Sequence, residues 1–134
     1  MKCLISVSSA PIAKLGNKEY YDLIGTIDVM KKILSESVVD GFELQLEPEW
    51  DSDNPPLTDR DLADWTKTPK YTTGEILDIL RREALPILSV HASRDIGSYL
   101  CSSQEHYWEK GKHVAYDALF IANELGASVC VFHL

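Results

Sequence analysis

Two hydrophobic periods take turns along this chain, and the switches between them mark its elements. Residues Lys2–Ser8 (KCLISVS) form a short β-rich run, followed by what reads as a loop through Ala10–Gly25. In TIDVMKKILSES, Ile27, Met30, Ile33 and Leu34 recur at helical spacing, with Thr26 or Asp28 placed to cap that helix. Gly41 then punctuates, and residues 42–47 alternate strictly, with Phe42, Leu44 and Leu46 on one face and Glu43, Gln45 and Glu47 on the other. That alternation predicts a second strand.

From Pro48 to Tyr71 the chain is polar and carries two tryptophans, Trp50 and Trp65, which predicts a lid or binding loop with a short helix around Asp59–Trp65. A helix is expected over residues 73–85, with Ile76, Leu77, Leu80 and Ala84 on one face, Thr73 as its cap and Pro86 as its stop. Residues 87–92 (ILSVHA) read as a third strand, and Ser93–Leu100 as a loop. A long helical pattern over Ser102–Leu125 ends at Gly126, and SVCVFHL reads as strand four. The order β-α-β-α-β-α-β predicts an α/β fold of parallel β/α units in a single domain, residues 1–134.

The polar strand positions refine that picture. Glu43, Gln45 and Glu47 share one face of strand two, Ser89 and His91 share one face of strand three, and His133 stands at the end of strand four. In an open doubly wound sheet both faces meet helices and should be apolar. A polar face on successive strands fits a barrel interior with a site at the C-terminal mouth, so the architecture expected is the first half of a TIM barrel. The bland alternative is that each strand-end histidine is a hydrogen-bonded structural residue. Two of them at the same mouth favour a site. Glu43 is either exposed on the sheet or turned inward and functional, because burying it unpaired would cost several kcal/mol.

The remaining candidates are weaker. Glu47 and Glu49, with Asp51 and Asp53, are expected to form a solvated acidic start to the loop. DSDNPP does not make a calcium loop, since Pro55 stands where a ligand belongs and no glycine makes the turn. His106 and His113 lack the i, i+4 spacing of a helical zinc pair and are expected to be solvated or packing residues. Cys101 and Cys130 are expected to pack, with Cys130 of opposite parity to His133. Neither a dinucleotide fingerprint, a phosphate loop nor a GxSxG nucleophile elbow is present.

Charge and composition remove some partners. The chain has 13 Lys+Arg against 21 Asp+Glu, a formal net charge of −8, so a nucleic-acid backbone would be repelled. Three cysteines without a CxxC pair fit reduced thiols, and there is neither a signal-like N-terminus nor a run of apolar residues long enough to cross a bilayer. A cytoplasmic location is therefore expected, with no membrane partner.

Three segments, DGFELQL, ILSVHAS and IANELGASVCVFHL, resemble the first half of the xylose-isomerase-like TIM barrels, which include sugar isomerases and epimerases and the endonuclease-IV type of AP endonuclease (AP endonuclease family 2). The resemblance covers nearly the whole chain and implies a metal-dependent β/α barrel. It implies that His91 and His133 are metal ligands in the endonuclease-like case and line the substrate pocket in the sugar-enzyme case. Glu43 matches the strand-two glutamate and is the implied catalytic residue, while Trp50, on the loop expected to cover the pocket, is the further substrate-binding candidate. Two departures stand out: His91 is followed by Ala-Ser rather than Ala-Pro-Tyr, and the Pro-Gly that commonly follows the fourth-strand histidine is absent.

A complete barrel of this type needs about 250 residues. The resemblance therefore implies an N-terminal half whose divalent metal (Mn, Mg, Co or Zn) is held mostly by the other half. The implied substrate is a small sugar or polyol, and the implied partner is a second copy or a C-terminal half. The alternatives are an endonuclease-IV-like zinc phosphodiesterase and a non-catalytic half-barrel that serves binding or assembly.

Overall fold

Phe42 and Leu44 are fully buried while Glu43 and Gln45, between and beyond them, are only half-buried, so the alternation in the sequence becomes the two faces of a strand. The computed structural model describes residues 6–18, 21–36, 39–53, 55 and 59–133. Its four strands are β1 (Ser6–Ser8), β2 (Gly41–Gln45), β3 (Ile87–His91) and β4 (Val129–Val131). All pair in parallel, in the order β1-β2-β3-β4. The chain is thus an α/β protein built on a parallel sheet. Cys3 and the start of the first predicted strand lie outside the described residues.

Strands that follow one another in space as they do in sequence require crossovers of one hand, which carry the helices to one side of the sheet. The core has that form. Phe42, Leu44 and Val90 from the sheet pack with Ile27 and Met30 of α2 (Leu23–Glu36), Ile76, Leu77 and Leu80 of α4 (Thr73–Glu83), and Ile121 of α6 (Glu105–Leu125). The opposite face carries Glu43, Gln45, Ser89 and His91, none of them in that core.

Several elements depart from the pattern reading, each for a local reason. The connection after β1 contains a helix, α1 (Ser9–Leu15), whose Ile12 is fully buried. The next helix begins at Leu23, because Asp22 rather than Thr26 or Asp28 accepts a hydrogen bond from the Gly25 amide at 2.9 Å. Gly25 permits that closure: a Cβ there would lie 2.4 Å from the Asp22 carboxylate. Thr26 is buried inside the helix. The cap of α4 is Thr72, one residue before the expected Thr73, in a reciprocal capping box with Glu75.

The stretch expected as a lid or binding loop, Pro48 to Tyr71, is anchored at both of its tryptophans. It holds a 3₁₀ turn (Pro48–Trp50) and α3 (Asp59–Lys67). Trp50 is 3% exposed, and its indole Nε1 donates to the Tyr21 carbonyl at 2.7 Å. Trp65 Nε1 donates to the Asp51 carbonyl at 2.6 Å. Each indole supplies its one donor to a backbone carbonyl, and Trp50 hides the rest of its surface while Trp65 is half-buried. Residues Ile96–Leu100, expected as loop, form α5, and α6 follows from Glu105 to its C-cap Gly126 at φ 69°. Among the described residues, no helix is long and apolar enough to cross a membrane.

Candidate functional site

The register of the sheet decides which polar residues meet. Glu43 pairs with Ser89 and Gln45 with His91, while Ser89 pairs with Val129 and His91 with Val131. Paired residues project on the same side, so these side chains share the face away from the helices. Ser89 Oγ donates to Glu43 Oε2 at 3.2 Å. His133, two residues beyond Val131, returns to the same side, and its ring centroid lies 4.7 Å from that of His91. The two histidines singled out from the sequence are therefore neighbours at the C-terminal edge of the sheet.

His91 also has a defined tautomer. Its Nδ1 lies 2.9 Å from the Ala92 carbonyl oxygen, which can only accept, so Nδ1 carries the proton. Nε2 is left with its lone pair, available to accept a proton, a substrate hydroxyl or a metal. Glu43, Ser89 and His91 together can orient a hydroxylated ligand and exchange a proton with it.

A metal needs more than this face supplies. No group of three or more His, Cys, Asp or Glu side chains among the described residues is placed to hold an ion. Two imidazoles fall short of the four ligands of a zinc site. Cys130, in register with Val90, faces the helices and packs against the core, where burial pushes its thiol pKa up. Cys101 is exposed rather than packed.

Just beyond the strand ends lies a cluster that the sequence reading placed in solvent. Glu47 and Glu49 flank Pro48 after β2 and are 4% and 1% exposed. Arg94, three residues after His91, covers both: its Nη1 donates to Glu47 Oε2 at 3.0 Å and to Glu49 Oε2 at 3.0 Å, and its Nη2 pairs with Glu49 Oε1. Of the four acids expected in solvent, Glu47 and Glu49 are instead buried under Arg94, while Asp51 is partly and Asp53 largely solvent-facing, because one guanidinium fork can serve two carboxylates that water would otherwise have to hydrate.

Burial pushes the Glu47 carboxyl up to about 8; the Arg94 charge opposes this shift and the Glu49 charge adds to it. Glu47 Oε1 is buried and has no hydrogen-bond partner among the described residues. The sequence held one weak signal for this cluster: two glutamates of equal parity at one strand end, and a lone arginine just past the next.

Trp50 does not join the histidines. It stands in the wall of a separate cavity of about 240 Å³, on the helix side of the strand ends, with Glu47, Tyr71, Tyr99, His113 and Asp117 among the other wall residues. Glu43, His91 and His133 are not in that wall. His113 is largely exposed and lies 3.5 Å from Asp117, while His106 is exposed. Comparison with protein-family models, with curated proteins and with solved structures returns no match.

Proposed function

We propose that the chain is the N-terminal half of a (β/α)₈ barrel of the sugar isomerase and epimerase type, with its substrate pocket on the polar sheet face. The observation that carries this reading is that Glu43 and Ser89, at mid-strand, share the side the helices leave bare with His91 and His133, which meet at its C-terminal edge. A polar inner face with its reactive groups at the strand ends is where barrel enzymes place their chemistry. Further β/α units, from the same polypeptide or another, would close the barrel over this face.

In this reading Glu43 moves a proton between neighbouring carbons of a small sugar, and Ser89 holds one of its oxygens in place. His91, with Nδ1 tied to the Ala92 carbonyl, turns Nε2 toward a substrate hydroxyl, and His133 lines the pocket beside it. A divalent metal, when bound, would polarise the sugar carbonyl. The described residues supply only part of its shell.

Backbone amide spectra of the protein, titrated with a panel of ketoses and aldoses, test the reading. Saturable shifts at β2, β3 and β4 that His91→Ala abolishes are expected. Shifts that ignore that substitution, or no saturable shift with any sugar, would sink it.

The 4.7 Å approach of the two imidazoles also favours a second reading, a zinc-dependent phosphodiesterase in which both are ligands. The net charge of −8 opposes a nucleic-acid substrate for this part of the molecule. Binding of zinc that is lost in both His91→Ala and His133→Ala, together with no response to sugars, would select it.

A further inference from the structure

The cavity beside the strand ends has its own chemistry, independent of the polar sheet face. Its volume of about 240 Å³ far exceeds the ~10–15 Å³ that one water needs. Aromatic rings of Trp50, Tyr71 and Tyr99 stand in its wall, with Trp50 and Tyr71 edge to face at 6.2 Å. Among the described residues, that wall holds one ionisable base, His113, against the carboxyl groups of Asp51, Asp53 and Asp117 and of Glu47, which Arg94 covers.

Two wall residues carry buried polar atoms that no described residue satisfies. Tyr99 is 2% exposed and its hydroxyl has no hydrogen-bond partner there; the same holds for Glu47 Oε1. Leaving such groups unpaired is costly, and a polar ligand or water would relieve it.

The sign of the field says which ligand. Asp117 is raised mainly by burial, opposed by His113 and raised further by the Asp51 charge. Tyr99 and Tyr71 are likewise raised, first by burial and then by neighbouring acids, Asp95 and Asp51 for the one and Asp22 and Glu75 for the other. Carboxyl groups outnumber the one base in the described wall, and the Asp51 charge already hinders ionisation of Asp117, so an anionic ligand would be repelled and a cation drawn in. The protein uses this chemistry itself, since Lys110 Nζ sits 4.4 Å from the centroid of the Tyr99 ring.

We propose that this cavity binds a small organic cation bearing an ammonium group, with Asp117 and Asp53 as anionic anchors and the Trp50, Tyr71 and Tyr99 rings as its walls. The site is separate from the sugar pocket proposed above, because Glu43, His91 and His133 do not line it.

The test is a titration with propylamine hydrochloride at neutral pH and constant ionic strength, followed by tryptophan fluorescence and amide shifts, with sodium chloride and glycerol as parallel titrants. One-to-one saturation by the amine alone is expected. Asp117→Asn should weaken it about tenfold, the scale of one partly desolvated charge contact, while His91→Ala leaves it unchanged. Should Asp117→Asn fail to fold by circular dichroism, Asp53→Asn at an exposed position serves as the second variant. Equal effects of sodium chloride would reduce the site to general screening, and equal effects of glycerol would make it a polyol site. Either result, an absence of saturation, or indifference to the aspartate substitutions overturns the proposal.

Discussion

Arg94 reaches Glu47 across two neighbouring strand ends, its Nη1 donating to Oε2 at 3.0 Å while the same guanidinium holds Glu49. This contact joins the segment after β2 to the segment after β3, immediately beside the edge where His91 and His133 meet.

Removing the arginine should therefore cost more than a surface ion pair would. Arg94→Ala leaves two buried carboxyls facing each other, and breaking a buried pair costs about 3–5 kcal/mol. Urea denaturation of the variant measures it. A loss below about 1 kcal/mol, the range of exposed pairs, would show that Glu47 and Glu49 are hydrated in solution.

Glu47 sets a pH dependence whose sign follows from its raised pKa. Between its ordinary value of 4.5 and about 8, the folded protein holds a proton on Glu47 that the unfolded chain has released. Stability should fall as pH rises through that window and then level off, by at most about 1.4 kcal/mol per pH unit. Glu75 and Glu83 are shifted down by Thr72 and Lys31 respectively, so their contributions vanish below 4.5 and stay clear of it. Chemical denaturation at a series of pH values should show the slope in the native protein and a flatter profile in Glu47→Gln.

The position of the α4 cap separates the structure from the pattern reading by one residue. Thr72 accepts from the Glu75 amide at 3.2 Å, so Thr72→Ala should cost about 1 kcal/mol, a typical cap loss. Thr73→Ala should change little. Thermal unfolding of the two variants decides it, and equal losses would remove the capping box.

Val129 tests the half-barrel proposal. It is 53% exposed on β4, the last strand of the sheet, on the side that would turn inward. An apolar edge strand invites pairing, so light scattering should show a mass that rises with concentration, and Val129→Lys should suppress the rise. A mass that stays monomeric at every concentration would count against the proposal.

Period and punctuation alone made the α/β class, the parallel order and the polar sheet face legible. Phe42 and Leu44 against Glu43 and Gln45, or Val90 against Ser89 and His91, are local alternations, and the parity of a strand survives folding unchanged. The parity of Cys130 against His133 was readable for the same reason. Tertiary structure decided whatever depended on a partner distant in the chain. Glu47 and Glu49 look like solvent-facing acids until Arg94 is brought across from the next strand end, and nothing local to Trp50 names the Tyr21 carbonyl that its indole reaches. Charge and polarity in a sequence state what a side chain needs; only the fold determines whether water or another residue meets that need.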